Sequence, residues 1–241
     1  MFFSALGVGG ATLFGGLIGL CMKDLVRRWN SVILALAAGI MLSSSMVGLI
    51  LPALEYEYGG IFICTIGIVA GGLCINLIDL FLPLMVGRDD SNDRESRGRL
   101  YLFLLAIGVH NLPEGIAAGV GFGRGDVASG LLIATGIALQ NIPEGAVVIL
   151  PMLCAGYSPK KSLWIAALTG AVEVLGAMLG YAAVSFSDKI LPFALSLAGG
   201  TMIQVISFEM LPEISSTGKK GLNSVAILLG FCLMLALSML L

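Results

Sequence analysis

Two hexapeptides offset by 30 residues carry the side chains best suited to chemistry in this chain. The first reads His110-Asn111-Leu112-Pro113-Glu114-Gly115, the second Gln140-Asn141-Ile142-Pro143-Glu144-Gly145. Residues four apart share a helical face, so His110 and Glu114 point together, as do Gln140 and Glu144, with Asn111 and Asn141 beside them. Pro113 and Pro143 lack an N–H and clash with the carbonyl four residues back, at Val109 and Leu139. Each therefore frees a carbonyl at the depth of the side chains, and Gly115 and Gly145 are expected to add slack. A third acid, Glu173, stands on a face of Ala166, Gly170, Ala177 and Gly180. Those small residues would let its helix pack tightly and present the carboxylate to a neighbour.

The elements that hold these residues must sit in lipid. Of 241 residues 58% are hydrophobic and 12% charged, with a mean hydropathy of +1.01. A soluble domain carries about 25% charged residues. A helix needs about 20 apolar residues to cross the hydrocarbon. Breaks at charges, Pro and Gly divide the chain into eight such runs, at about 2–22, 31–54, 60–83, 100–122, 129–153, 163–186, 190–212 and 222–241. The expected fold is an all-α integral membrane protein with eight transmembrane helices in a single domain, multi-pass in the cell membrane. MFFSALGVGG has no basic segment before its apolar run, so the first run is read as a permanent span rather than a cleaved leader. The five cysteines show no CxxC spacing and read as small apolar fillers.

Orientation follows from Lys and Arg. Eleven of the 13 fall in the odd-numbered loops: Lys23, Arg27 and Arg28; Arg88, Arg94, Arg97 and Arg99; Lys160 and Lys161; Lys219 and Lys220. The even-numbered loops hold only Arg124 and Lys189. Positive residues stay cytoplasmic, so both termini should lie outside and the 84–99 loop inside. A cysteine placed at 88–99 is expected to label only from the cytoplasmic face; labelling in intact cells would reverse the topology.

Three acids at mid-membrane depth cost about 2.5–3.5 kcal/mol each when charged and unpaired. No Lys or Arg lies within these three runs to neutralise them. Bound protons or a bound cation remain. One imidazole, three carboxylates and three amide oxygens suit a borderline ion such as Zn²⁺, with Fe²⁺, Mn²⁺ or Cd²⁺ acceptable. The alternatives are a proton-coupled carrier of an organic cation and an intramembrane metalloenzyme. The first wants aromatic rings near the acids, yet Phe122, Trp164 and Tyr181 lie near helix ends. The second lacks an HExxH, and His110 is the chain's single histidine. A passive channel could use the same ligands. The expected partners are divalent ions and lipid, with no nucleic acid and no resident cofactor; a homodimer is left open.

The two motifs, the acid in the sixth run and the eight-run pattern together resemble the ZIP family of divalent-metal transporters. The segment AGIMLSSSMVGLILPALE and the short loops look closest to its bacterial GufA-like branch. The resemblance covers essentially the whole chain. It implies a 3+2+3 arrangement of helices and a binuclear centre. One site would use His110, Glu114, Gln140 and Glu144; the other would use Asn111, Asn141 and Glu173, with Glu114 and Glu144 bridging. It also implies an elevator-like shift of the first, fourth, fifth and sixth spans against the rest. Two departures stand out: Gln140 where many members have His, and Asn141 where close relatives have Asp. Phe208-Glu209 stands where the family often shows His-Glu, so the exit route would rest on Glu209, with Glu213 and Asp79 as further candidates. For the last two the plainer reading is an interfacial charge in water.

Overall fold

Backbone amides have no water to bond in a bilayer, so a chain this apolar must satisfy them within each segment. The computed structural model describes residues 1–86, 111–122, 127–154, 156–186, 188–216 and 218–240, and among these it is helical with no strand. We label the helices α1 (Phe2–Cys21), α2 (Lys23–Glu55), α3 (Ile61–Val86), α4 (helical over 111–121), α5 (Val127–Cys154), α6 (Pro159–Phe186), α7 (Leu191–Ser215) and α8 (Lys220–Ser238). Six helices among the described residues are long and apolar enough to cross a membrane: α1, α2, α5, α6, α7 and α8. The two other runs expected to cross are helical where described. The loop at 87–99 and His110 lie outside the described residues.

Two helices contain a wide turn. In α2 it spans Ser44–Ile50, in α7 Ile206–Met210, and each ends at a Leu-Pro pair, Leu51-Pro52 and Leu211-Pro212. Proline clashes with the carbonyl four residues back, here Gly48 and Phe208, and the turn opens to five-residue bonding to relieve it. The Leu51 N–H accordingly donates to the Met46 carbonyl and the Leu211 N–H to the Ile206 carbonyl.

Close packing sorts the helices into two groups. In α1, a Cβ at Gly9, Gly15 or Gly19 would overlap the backbone of Gly170 on α6 and of Ile142 and Ala146 on α5. Gly115 and Gly119 of α4 meet the α6 backbone in the same way, at Glu173 and Ala177. The second group is α2 against α8, through Gly39 and Gly230, and α3 against α7, through Gly71 and Gly200. Such approaches of small residues let membrane helices gain dispersion contacts that lipid tails cannot match. Between the groups α2 packs on α5, and the glycines there meet side chains only: Gly48 meets Ile133, and Gly136 meets Met234 and Ser44.

Lysine–aromatic contacts join loops at each end of the bundle. Lys219 donates to the Arg28 carbonyl and lies 4.8 Å from the Trp29 ring centre, joining two loops expected inside. Lys189 lies 5.5 Å from the Tyr58 ring centre, joining two loops expected outside.

Candidate metal centre

The site is assembled by four helices, and glycine decides how closely. Gly115, the last residue of the first motif, lies against the Glu173 carbonyl; Gly145, its counterpart, lies against that of Thr12. Besides the slack expected of them, each removes a Cβ so that a helix can approach the residue its neighbour contributes to the site. The small-residue face read for the sixth run holds, with Ala166 and Ala177 buried, Gly170 against Gly9 and Gly180 against Ile116.

Glu173 stands at the centre, 0% exposed. Its Oε1 accepts from the Thr12 hydroxyl of α1 at 3.0 Å and from the Asn111 amide of α4 at 2.5 Å. Its Oε2 accepts from the Asn141 amide of α5 at 2.7 Å, and that amide also donates to the Val8 carbonyl at 3.2 Å. One carboxylate thus ties three neighbouring helices to its own. Three donors on one buried acid satisfy its oxygens and offset part of the cost of taking it out of water.

Around this anchor are atoms with lone pairs to spare. Glu114 is 2% exposed, and its Oε2 has no hydrogen-bond partner; both side-chain atoms of Gln140 and the Oδ1 of Asn141 are likewise buried and unpartnered. Gln140 lies beside Glu114. Glu144 is partly exposed. The three carboxylates are close enough to act on one another electrostatically, Glu114 on Glu144, Glu144 on Glu173 and Glu173 on Glu114. Buried polar atoms without partners are uncommon and ask for a reason. A cation is one, since all but the Gln140 nitrogen are oxygens that can ligate. Among the described residues no three His, Cys, Asp or Glu side chains stand arranged to hold one ion between them. Glu173 has both oxygens committed to neighbours, which leaves a mixed carboxylate and amide set.

Six of the eight residues singled out in the sequence are thus brought together: Asn111, Glu114, Gln140, Asn141, Glu144 and Glu173. His110 lies outside the described residues. Glu209 sits on α7 within the wide turn, half-exposed, and is not one of the three interacting carboxylates. Glu213 is exposed at the end of α7; Asp79 is on α3, its side chain outside the described residues. Sequence reasoning missed Thr12, a polar residue in an apolar run whose only signal is the glycines Gly9 and Gly16 on either side of it.

Comparison with known proteins agrees with this geometry. A family model described as ZIP Zinc transporter matches residues 87–238. The zinc transporter GufA of Myxococcus xanthus is 35% identical, covering 98% of this chain and 96% of its own length. The zinc transporter ZIPB of Bordetella bronchiseptica is 34% identical over 94% of this chain and 76% of its own. The zinc transporter ZupT of Chlorobaculum parvum is 33% identical, with 96% and 93% covered. Matches that specific, on a helical chain whose two PEG motifs converge on a buried acid, make it a member of the ZIP zinc transporter family.

Proposed function

We propose that this chain carries divalent metal ions, zinc foremost, across the cell membrane into the cytoplasm through a midplane centre on α4, α5 and α6. The observation that carries the reading is the group of unpartnered oxygens on Glu114, Gln140 and Asn141 beside three mutually interacting carboxylates. His110, one turn before Glu114, would add the imidazole that a borderline ion prefers. Among the described residues the groups that bond Glu173 are a hydroxyl and two amides, which suits a metal better than an organic cation. Members of the family are transporters rather than enzymes, and the hydrolase reading is set aside. Vesicles containing the purified chain should accumulate Zn²⁺ above protein-free vesicles, with Cd²⁺, Fe²⁺ and Mn²⁺ compared alongside. Background uptake of all four would sink the proposal.

Two metals are the fuller reading, with His110, Glu114, Gln140 and Glu144 at one, Asn111, Asn141 and Glu173 at the other, and Glu114 and Glu144 bridging; Glu173 would ligate through the lone pair that Oε2 keeps beside its bond from Asn141. An Asn amide offers its NH₂ to a carboxylate and its Oδ1 to a cation, so Asn141 can support Glu173 and also ligate. Asn141→Asp replaces the donor by an anion facing Glu173 and the Val8 carbonyl, and like charges repel unless a cation lies between them. We expect more metal bound per chain and a melting temperature that depends on metal. Uptake should be unchanged or slower, since tight binding slows release. Unaltered stoichiometry and affinity would mean that residue 141 does not meet the ion.

Elevator-like motion is supported by the packing. The backbone-to-backbone contacts of the described glycines join helices within α1, α4, α5 and α6, or within α2, α3, α7 and α8, whereas Gly48 and Gly136 at the boundary meet side chains. Interlocked backbones move as one body; side chains can slide. A 3+2+3 order fits the wide turns, each before a Leu-Pro pair, in the second helix of the first three and of the last three. Glu209, with Glu213 and Asp79, would serve the cytoplasmic exit.

A further inference from the structure

A hydroxyl in a membrane helix can bond a carbonyl one turn back in its own helix, and several here do: Thr169 to Ala166, Ser196 to Pro192, Thr201 to Ala198, Ser207 to Ile203. Thr12 of α1 does otherwise. Its hydroxyl donates across to Oε1 of Glu173 on α6 at 3.0 Å. The carbonyl four residues back, that of Val8, accepts from the Asn141 amide of α5 instead. One turn of α1 thus supplies a donor and an acceptor to the centre, and Val8 and Thr12 are both buried. The backbone there is held in place, because Gly145 of α5 lies against the Thr12 carbonyl and Gly170 of α6 against that of Gly9.

The hydroxyl limits what Glu173 can offer an ion. A carboxylate has about four lone-pair positions, two on each oxygen. Among the described residues, Thr12 and Asn111 occupy both on Oε1, and Asn141 occupies one on Oε2. One position remains, on Oε2. The side chain is 0% exposed, so bulk water does not compete for it. Held in this way, Glu173 can make a single bond to an ion and cannot clasp it with both oxygens.

The number of oxygens a carboxylate presents bears on which ion it suits. Zn²⁺ is satisfied by about four ligands in tetrahedral order. Mn²⁺ suits about six oxygens in octahedral order, and hard cations take a carboxylate through one oxygen or both. An acid restricted to one bond fits the first ion better than the second.

We propose that Thr12 is a positioning residue for the ion at Glu173: its hydroxyl fills the second place on Oε1, holds the acid to one bond with the ion, and so favours Zn²⁺ over Mn²⁺. The inference rests on the transport reading above and adds a determinant of metal choice, on a helix that supplies no ligand of its own. Without the hydroxyl each carboxylate oxygen would keep one free lone pair, and both could turn to the ion. Asn111 would still hold Oε1 from the other side, so the acid would stay in the centre while its binding mode changed.

Two substitutions separate the hydroxyl from the shape around it. Thr12→Val nearly keeps the volume and removes the hydroxyl; Thr12→Ser keeps the hydroxyl and removes the methyl. Initial uptake into reconstituted vesicles, titrated separately with Zn²⁺ and Mn²⁺, gives kcat/KM for each ion. In Thr12→Val the Zn²⁺ value should fall about tenfold, the low end for a lost contact behind a metal ligand, and the Mn²⁺ value should rise. Thr12→Ser should keep the parent's ratio of the two. A role confined to holding helices together would instead lower the melting temperature and both values alike. A Thr12→Val ratio equal to the parent's would overturn the inference, as would a Thr12→Ser ratio shifted equally far. If the parent does not carry Mn²⁺, Thr12→Val should, and background uptake by both would overturn it as well. Should Thr12→Val not accumulate in the membrane, Thr12→Ala, which also lacks the hydroxyl, takes its place. A parent that moves neither ion would fell the transport reading; a parent that carries Zn²⁺, with an unchanged ratio in Thr12→Val, fells the positioning role alone.

Discussion

Glu114→Gln should abolish metal uptake while leaving the protein as stable as the parent, and Glu173→Gln should lose both. The substitutions are chemically the same, and the difference lies in what each carboxylate already touches. Glu114 keeps Oε2 without a partner, so no hydrogen bond of that atom is lost when its charge is removed. What goes is an anionic ligand. Losing a mere outer contact to a metal ligand costs 10–100-fold, so losing the ligand should cost at least about 100-fold in uptake. Glu173 accepts from Thr12, Asn111 and Asn141, donors on three other helices. A glutamine presents an NH₂ to at least one of them, and two donors then face each other. Bonds between membrane helices reach about 1.7 kcal/mol, so we expect a loss of roughly 1–3 kcal/mol in a thermal or denaturant titration. Equal stability of the two variants would show that Glu173 is no anchor. Normal uptake by Glu114→Gln would remove the centre from these motifs.

Gly115→Ala is expected to fail in folding, though alanine is the better helix former. Its Cβ would overlap the backbone oxygen of Glu173, an atom that cannot turn away as a side chain would. Helices α4 and α6 would have to separate, and the bond from Asn111 to Glu173 spans that gap. Overpacking typically costs about 1–3 kcal/mol, and backbone against backbone belongs at the upper end or beyond. Gly145→Ala should behave alike, since it meets the Thr12 carbonyl. Gly10→Ala is the control: nothing stands within 4 Å of the added carbon. Accumulation and melting temperature should drop for the first two and hold for the third. A parent-like melting curve for Gly115→Ala would mean that the two helices are not held at this distance.

Hydropathy read the slab well and the helices less well. Most ends of the described helices fall within four residues of the apolar runs, because apolar residues continue until the helix reaches polar surroundings. Helix α2 starts at Lys23 rather than 31, since Lys, Arg and Trp continue a helix readily once outside the hydrocarbon. The carboxylates and amides were legible because polar side chains in lipid must have a purpose. Thr12 was not, since a hydroxyl can satisfy itself within its own helix and so marks nothing. The two wide turns could have been read from Pro52 and Pro212, each inside an apolar run. What glycine does could not: slack and close approach use the same residue, and only a neighbour's position tells them apart.

The bond from Thr12 to Glu173 joins residues 161 positions apart, and it sets an order of assembly. A ribosome adds about 5–20 residues each second, so roughly 8–30 s separate the synthesis of the two ends. Throughout that interval α1 is in the membrane with neither its hydroxyl nor its glycine face matched to α6. Helix α1, made early, is among the last to be fully seated: a chain stopped before α5 leaves its glycine face unclaimed, and one stopped before residue 173 still leaves Thr12 without its acceptor. Truncated or stalled chains should therefore expose α1 to quality-control proteases, and chains that have passed α6 should not.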